Sequence, residues 1–125
     1  MRIIPLAAAT LALAAATPAF ATSEGLAIRT GADLVTYCDA DPAAANAAEA
    51  EAFCNGYASG AFHFYLNWVH RDPAQRFVCI PEPYPERAAV IEEMVAWAKA
   101  NPESQKETAV DMMFHFLGQR FECKQ

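Results

Sequence analysis

The chain has 125 residues, with 15 acidic against 9 basic side chains and a formal net charge of −6. A balance that acidic disfavours nucleic acid and anionic membrane surfaces as partners, because their phosphates would be repelled. The 4 cysteines include no C-x-x-C or C-x-x-C-H spacing, which argues against a zinc site, a dithiol redox centre and haem attachment.

Residues 1–21 read as a secretory leader: Arg2, an alanine- and leucine-rich run, then Ala19-Phe20-Ala21 as a small-x-small cleavage site. The run is interrupted by Pro5 and Pro18 and is short for a bilayer span, so no membrane segment is expected in the mature form. Residues 22–125 then make one small domain whose core needs crosslinks, and an even cysteine count in an exported chain supplies two disulfides.

After a loose start, Thr30 and Asp33 form a T-x-x-D variant of the capping box and open a first helix carrying Leu34, Val35 and Cys38 on one side. Asp39-Ala40-Asp41-Pro42 ends it. A second, longest helix begins between residues 43 and 47 and runs to about His70, where Arg71-Asp72-Pro73 breaks the pattern. It contains Phe53-Cys54-Asn55-Gly56-Tyr57-Ala58-Ser59-Gly60, and it is apolar around most of its circumference, which marks a buried central helix. Gly56 and Gly60, at i,i+4 spacing, predict that another backbone comes close there, so Gly60→Leu is expected to overpack the domain. Phe53, Gly56, Tyr57 and Gly60 are therefore taken as its structural motif.

Phe77-Val78-Cys79-Ile80 is too short for a helix and reads as an extended segment, followed by a stretch stiffened by Pro81, Pro83 and Pro85. Pro85 suits the first position of a third helix, which turns Val90, Met94 and Trp97 inward with Ile91, Val95 and Ala98 beside them. Asn101-Pro102-Glu103 breaks it. Ser104-Gln105-Lys106-Glu107 is an S-x-x-E capping box that predicts a fourth helix from Ser104, with Val110, Met113 and Leu117 on one side and Ala109, Met112 and Phe116 adjacent. The fold class is all-α: a small four-helix, disulfide-stapled domain. Antiparallel neighbours joined by short turns bring Cys38 to Cys54 and Cys79 to Cys123, one of three possible connectivities.

No catalytic set emerges. His63 and His70 are too far apart along a helix for one metal, oxidised cysteines are not nucleophiles, and no phosphate, dinucleotide or G-x-S-x-G motif is present. Neither an enzyme nor a cofactor or metal is expected.

The order T-G-x-x-L at Thr30 to Leu34, Cys38, F-C-x-G-Y-x-x-G at Phe53 to Gly60, F-x-C-I-P at Phe77 to Pro81, N-P-E at Asn101 to Glu103 and F-x-C at Phe121 to Cys123 resembles the Rap/Tai family of immunity proteins. Glu122 stands where the family often has proline. The resemblance implies a periplasmic, helical, disulfide-containing protein that binds and blocks a peptidoglycan amidase delivered by type VI secretion, alone or as a homodimer. It implies a partner-binding turn at Asn101, Pro102, Glu103 and Ser104. Size, disulfides and acidity leave two other functions open: a periplasmic stress chaperone similar to the HdeA proteins, and an exported helical interaction protein of unrelated role.

Overall fold

The computed structural model describes residues 28–124, so the expected leader lies outside the described residues. Those residues form α1 (Gly31–Cys38), α2 (Ala47–Arg71), α3 (Arg87–Ala100) and α4 (Ala109–Arg120), with short 3-10 turns at Pro73–Gln75 and Pro102–Lys106. The fold is all-α, as expected, and the helix-breaking prolines fall where the chain reverses.

The shortest helix is the hub. α1 packs against α2, α3, α4 and the second 3-10 turn, and Leu34 on it is fully buried. The capping box predicted at its start is present: the Thr30 hydroxyl accepts from the Asp33 N–H, and the Asp33 carboxylate accepts from the Thr30 N–H at 2.8 Å. Hydrogen bonds from the backbone of Thr30, and next from that of Arg29, hold the Asp33 carboxyl below its ordinary value.

The fourth helix starts later than Ser104. Residues 102–106 wind as a 3-10 turn, Ser104 donates its hydroxyl to the Asn101 carbonyl at 2.7 Å, and Thr108 is the N-cap of α4, accepting from the Asp111 N–H. Thr108-x-x-Asp111 repeats the cap chemistry of Thr30-x-x-Asp33, and the two caps face each other. Gly31 N–H donates to the Glu107 carbonyl at 2.9 Å, and Ala109 N–H to the Arg29 carbonyl at 3.1 Å, an antiparallel bridge between Thr30 and Thr108. Each bond satisfies a first-turn donor that a helix cannot satisfy internally. Fixing the start of α4 is thus a tertiary event.

α2 is not the buried centre that its composition predicts. It has 25 residues and spans roughly 37 Å, against about 12 Å for the 8-residue helix packed on it. Only Ala50, Cys54, Tyr65 and Val69 on α2 are buried, while Phe64 is 72% and Trp68 55% exposed. Gly56 and Gly60 lie on the same outer face, where an added Cβ would meet nothing within 4 Å. No backbone approaches them among the described residues, which corrects the expectation of close packing there. The glycine that does meet a neighbouring backbone is Gly31, at the crossing of the two caps. Phe53 and Tyr57 are half-buried, with Phe53 against the Tyr37 ring at 4.8 Å. Burial, and secondarily the Asp111 carboxylate, push the Tyr57 phenol up.

One further boundary and one buried position differ from expectation. α3 begins at Arg87 rather than Pro85, because Glu86 remains extended, and Val110 on α4 is 40% exposed while Ala109 and Met112 face inward. α3 and α4 are also joined at the surface, where Arg120 donates to Glu93 at 2.6 Å and holds that carboxyl below the usual range.

The segment 77–80 is extended, as predicted. Val78 pairs with Glu122 in an isolated bridge, and Cys79 N–H donates to the Phe121 carbonyl at 2.7 Å. The disulfides are Cys38–Cys54 and Cys79–Cys123, the connectivity implied by the two hairpins. A buried tyrosine adds a third clamp: the Tyr65 hydroxyl oxygen accepts from the N–H groups of Phe77 at 2.8 Å and Val78 at 2.9 Å. Tyr65→Phe would leave those donors without an acceptor, one of them buried. It is expected to cost about 2 kcal/mol and to speed amide exchange at Val78, measurable by thermal melts and hydrogen exchange. Unchanged exchange at Val78 would show that the hydroxyl does not hold the segment.

Candidate functional site: a rigid turn and an apolar groove

The turn between α3 and α4 is built by its own hydrogen bonds. Asn101 Nδ2 donates to the Trp97 carbonyl at 2.8 Å, Ser104 N–H donates to the Asn101 carbonyl at 2.9 Å, and Gln105 Nε2 donates to the Ala98 carbonyl at 2.9 Å. These bonds tie off the C-terminus of α3, whose last carbonyls have no partners within the helix. Asn101, Pro102 and Glu103 are exposed, and Lys106 Nζ holds the Glu103 carboxylate at 2.7 Å. Ser104 is only 4% exposed and faces inward, so it belongs to the turn's internal support and not to its outer surface. Proline, which fixes φ and lacks an N–H, makes the tip stiffer still.

The second feature lay beyond the reach of local sequence patterns. The chain leaves α2 at Arg71, turns through Pro73–Gln75, and the segment that follows Val78 runs to the start of α3. Between α2, this segment, α3 and α4 lies a groove of about 640 Å³. Phe62 of α2, Val90 and Met94 of α3 and Phe116 of α4 line it, while His63, Arg76 and Arg87 bring polar groups to it. Those side chains come from four separate segments. The only sequence signal was the proline-stiffened stretch itself, whose significance appears once the helices are placed.

The remaining polar cluster is a chain of side-chain hydrogen bonds at the surface. His115 Nδ1 lies 3.1 Å from Glu107 and its Nε2 2.9 Å from Gln119, which in turn accepts from the Trp97 indole at 3.2 Å. Both ring nitrogens are therefore engaged, by Glu107 and by Gln119. His63 and His70 are exposed on α2, and no group of three metal-ligating side chains is found among the described residues. No described helix is long and apolar enough to cross a membrane.

The fold and surface define a small all-α domain, closed by two disulfides, that presents a stiff turn and an apolar groove. The profile of the Rap1a immunity proteins matches residues 30–123, and the chain belongs to that family. This places it among immunity proteins. The match begins at the α1 cap and ends at the second disulfide, so it covers the whole helical domain. Neither a curated protein nor a solved structure matches the chain.

Proposed function

We propose that this chain is exported to the periplasm and protects its producer by binding a type VI secreted peptidoglycan amidase and occluding its cleft. The family match over residues 30–123 carries this reading. The two disulfides support an oxidising compartment, and the expected leader over residues 1–21 supplies the route. Occlusion favours an exposed element that loses little freedom on docking, and the hydrogen-bonded 3-10 turn with Asn101, Pro102 and Glu103 at the surface supports that role. Family membership favours this over the stress-chaperone alternative, for which the fold offers no dedicated support.

Purified mature chain, mixed with a panel of type VI amidases, is expected to form a stoichiometric complex with one of them and stop its hydrolysis of peptidoglycan. Pro102→Trp with Glu103→Arg, at the exposed tip, is expected to weaken that complex by about 100-fold, or about 2.7 kcal/mol, without changing the melting temperature. If none of the amidases is bound, the amidase reading fails. If the tip variant binds like the wild type, the turn is not the contact.

The outer face of α2 supports self-association. Gly56, Gly60, Phe64 and Trp68 follow one another at i,i+4, so an antiparallel second copy could set its Phe64 and Trp68 against Gly60 and Gly56. Light scattering is expected to give a dimer for the wild type and a monomer for Phe64→Ser with Trp68→Ser. A monomeric wild type at high micromolar concentration would remove this assembly.

A further inference from the structure

The groove between α2, the segment after Val78, α3 and α4 is not accounted for by occlusion at the turn. At about 640 Å³ it falls within the size range of small-molecule sites, and apolar side chains from three helices line it: Phe62, Val90, Met94 and Phe116. Its charged lining is two arginines, Arg76 and Arg87, against one carboxylate, Glu86, and neither arginine is ion-paired among the described residues. In a chain of net charge −6, two unpaired guanidinium groups outnumbering one carboxylate beside an apolar groove favour an occupant with an anionic end.

What the lining does not offer decides the rest. A bound peptide strand would carry N–H and C=O groups that need partners once out of water. The helices α2, α3 and α4 spend their interior backbone groups on their own ladders, and in residues 81–86 of the connecting segment only Glu82, Tyr84 and Glu86 carry an N–H, so most of a bound strand's polar groups would go unmatched. An alkyl chain makes no such demand. We propose that the groove binds a single-chain anionic amphiphile, with its tail along Phe62, Val90, Met94 and Phe116 and its carboxylate or phosphate at Arg76 and Arg87.

The test uses the mature chain with both disulfides intact, titrated calorimetrically with laurate, lysophosphatidylglycerol, dodecanol and dodecyltrimethylammonium below their micellar concentrations. Laurate or lysophosphatidylglycerol is expected to bind saturably at one site, and the one that binds more tightly identifies a free fatty acid or a lipid as the source. The cationic amphiphile is expected to bind at least about tenfold more weakly. Arg76→Glu with Arg87→Glu, on the exposed rim, should lower affinity for the anions about tenfold and leave dodecanol unaffected. Ser59→Trp, which fills the groove from α2, should abolish binding of all the probes. Absence of saturable binding to the wild type would overturn the proposal, as would equal binding of the anionic and cationic probes. Because the rim variant sits at exposed positions, it remains decisive if the tryptophan variant fails to fold. Should the probes not bind while Ser59→Trp weakens an amidase complex, the groove belongs to the protein partner, and the amphiphile site is refuted without harm to the immunity reading.

Discussion

Replacing Cys79 and Cys123 together by serine is expected to lower the unfolding free energy by about 4 kcal/mol. The two cysteines are 44 residues apart, and the loop they close contains α3, the second 3-10 turn and α4. Cutting the link frees that half of the domain in the unfolded chain, and the entropy regained there is what destabilises the fold in the chain-entropy account. The other disulfide closes a separation of 16 residues, so its loss should cost less, about 3 kcal/mol. The native contacts around the longer link outlast it: the Val78–Glu122 bridge, buried Phe121 and the Tyr65 hydroxyl still hold the extended segment. The loss should therefore show in the denatured state as well as in the midpoint. Urea unfolding of the double-serine variant should give a lower midpoint together with a steeper dependence on urea, because a chain without the loop exposes more surface. An unchanged midpoint and slope would mean that the link does not constrain the unfolded chain.

The same disulfides illustrate how much of the fold the sequence makes legible. Helices separated by Pro42, Pro73 and Pro102 must reverse direction, and reversal alone brings Cys38 to Cys54 and Cys79 to Cys123. Cap chemistry was local at Thr30, where hydroxyl and carboxylate sit three residues apart and find each other. It misled at the fourth helix, where Ser104-x-x-Glu107 fits the pattern but Thr108-x-x-Asp111 is the cap that forms. The choice between them is made by Arg29 and Gly31, almost eighty positions away, whose backbone pairs with Glu107 and Ala109.

The inner and outer faces of α2 were illegible for a related reason. Periodicity reports that Phe64, Leu66 and Trp68 are apolar, but it cannot report that they stay exposed among the described residues. The groove was harder still, since Phe62, Arg76, Arg87 and Phe116 share no local pattern and meet only through the packing of three helices. Of the turn, the position was legible and the division of labour was not: Ser104 looks like a cap from its spacing and serves instead as an inward support.

Gly31→Leu is expected to destabilise the domain by about 3 kcal/mol or more, the upper end of overpacking costs. A Cβ at Gly31 would collide with the Met112 sulfur and come within 3.0 Å of the Gln105 Cα, with the Met112 Cβ at 3.1 Å. The far end of Met112 can swing aside, but the backbone of Gln105 cannot, because it sits in the second 3-10 turn that packs on α1. Relief would have to come from separating the two helix starts, which breaks the bonds from Gly31 to Glu107 and from Ala109 to Arg29. Gly60→Ala runs the other way. Within one copy its Cβ enters open space on an exposed helix face, so for the monomer the substitution removes unfolded-state freedom and adds helix propensity, a gain of up to about 1 kcal/mol. Urea midpoints of the two variants against the wild type should therefore move in opposite directions. A neutral Gly31→Leu beside a destabilised Gly60→Ala would reverse the assignment and place the crowded backbone on α2 after all.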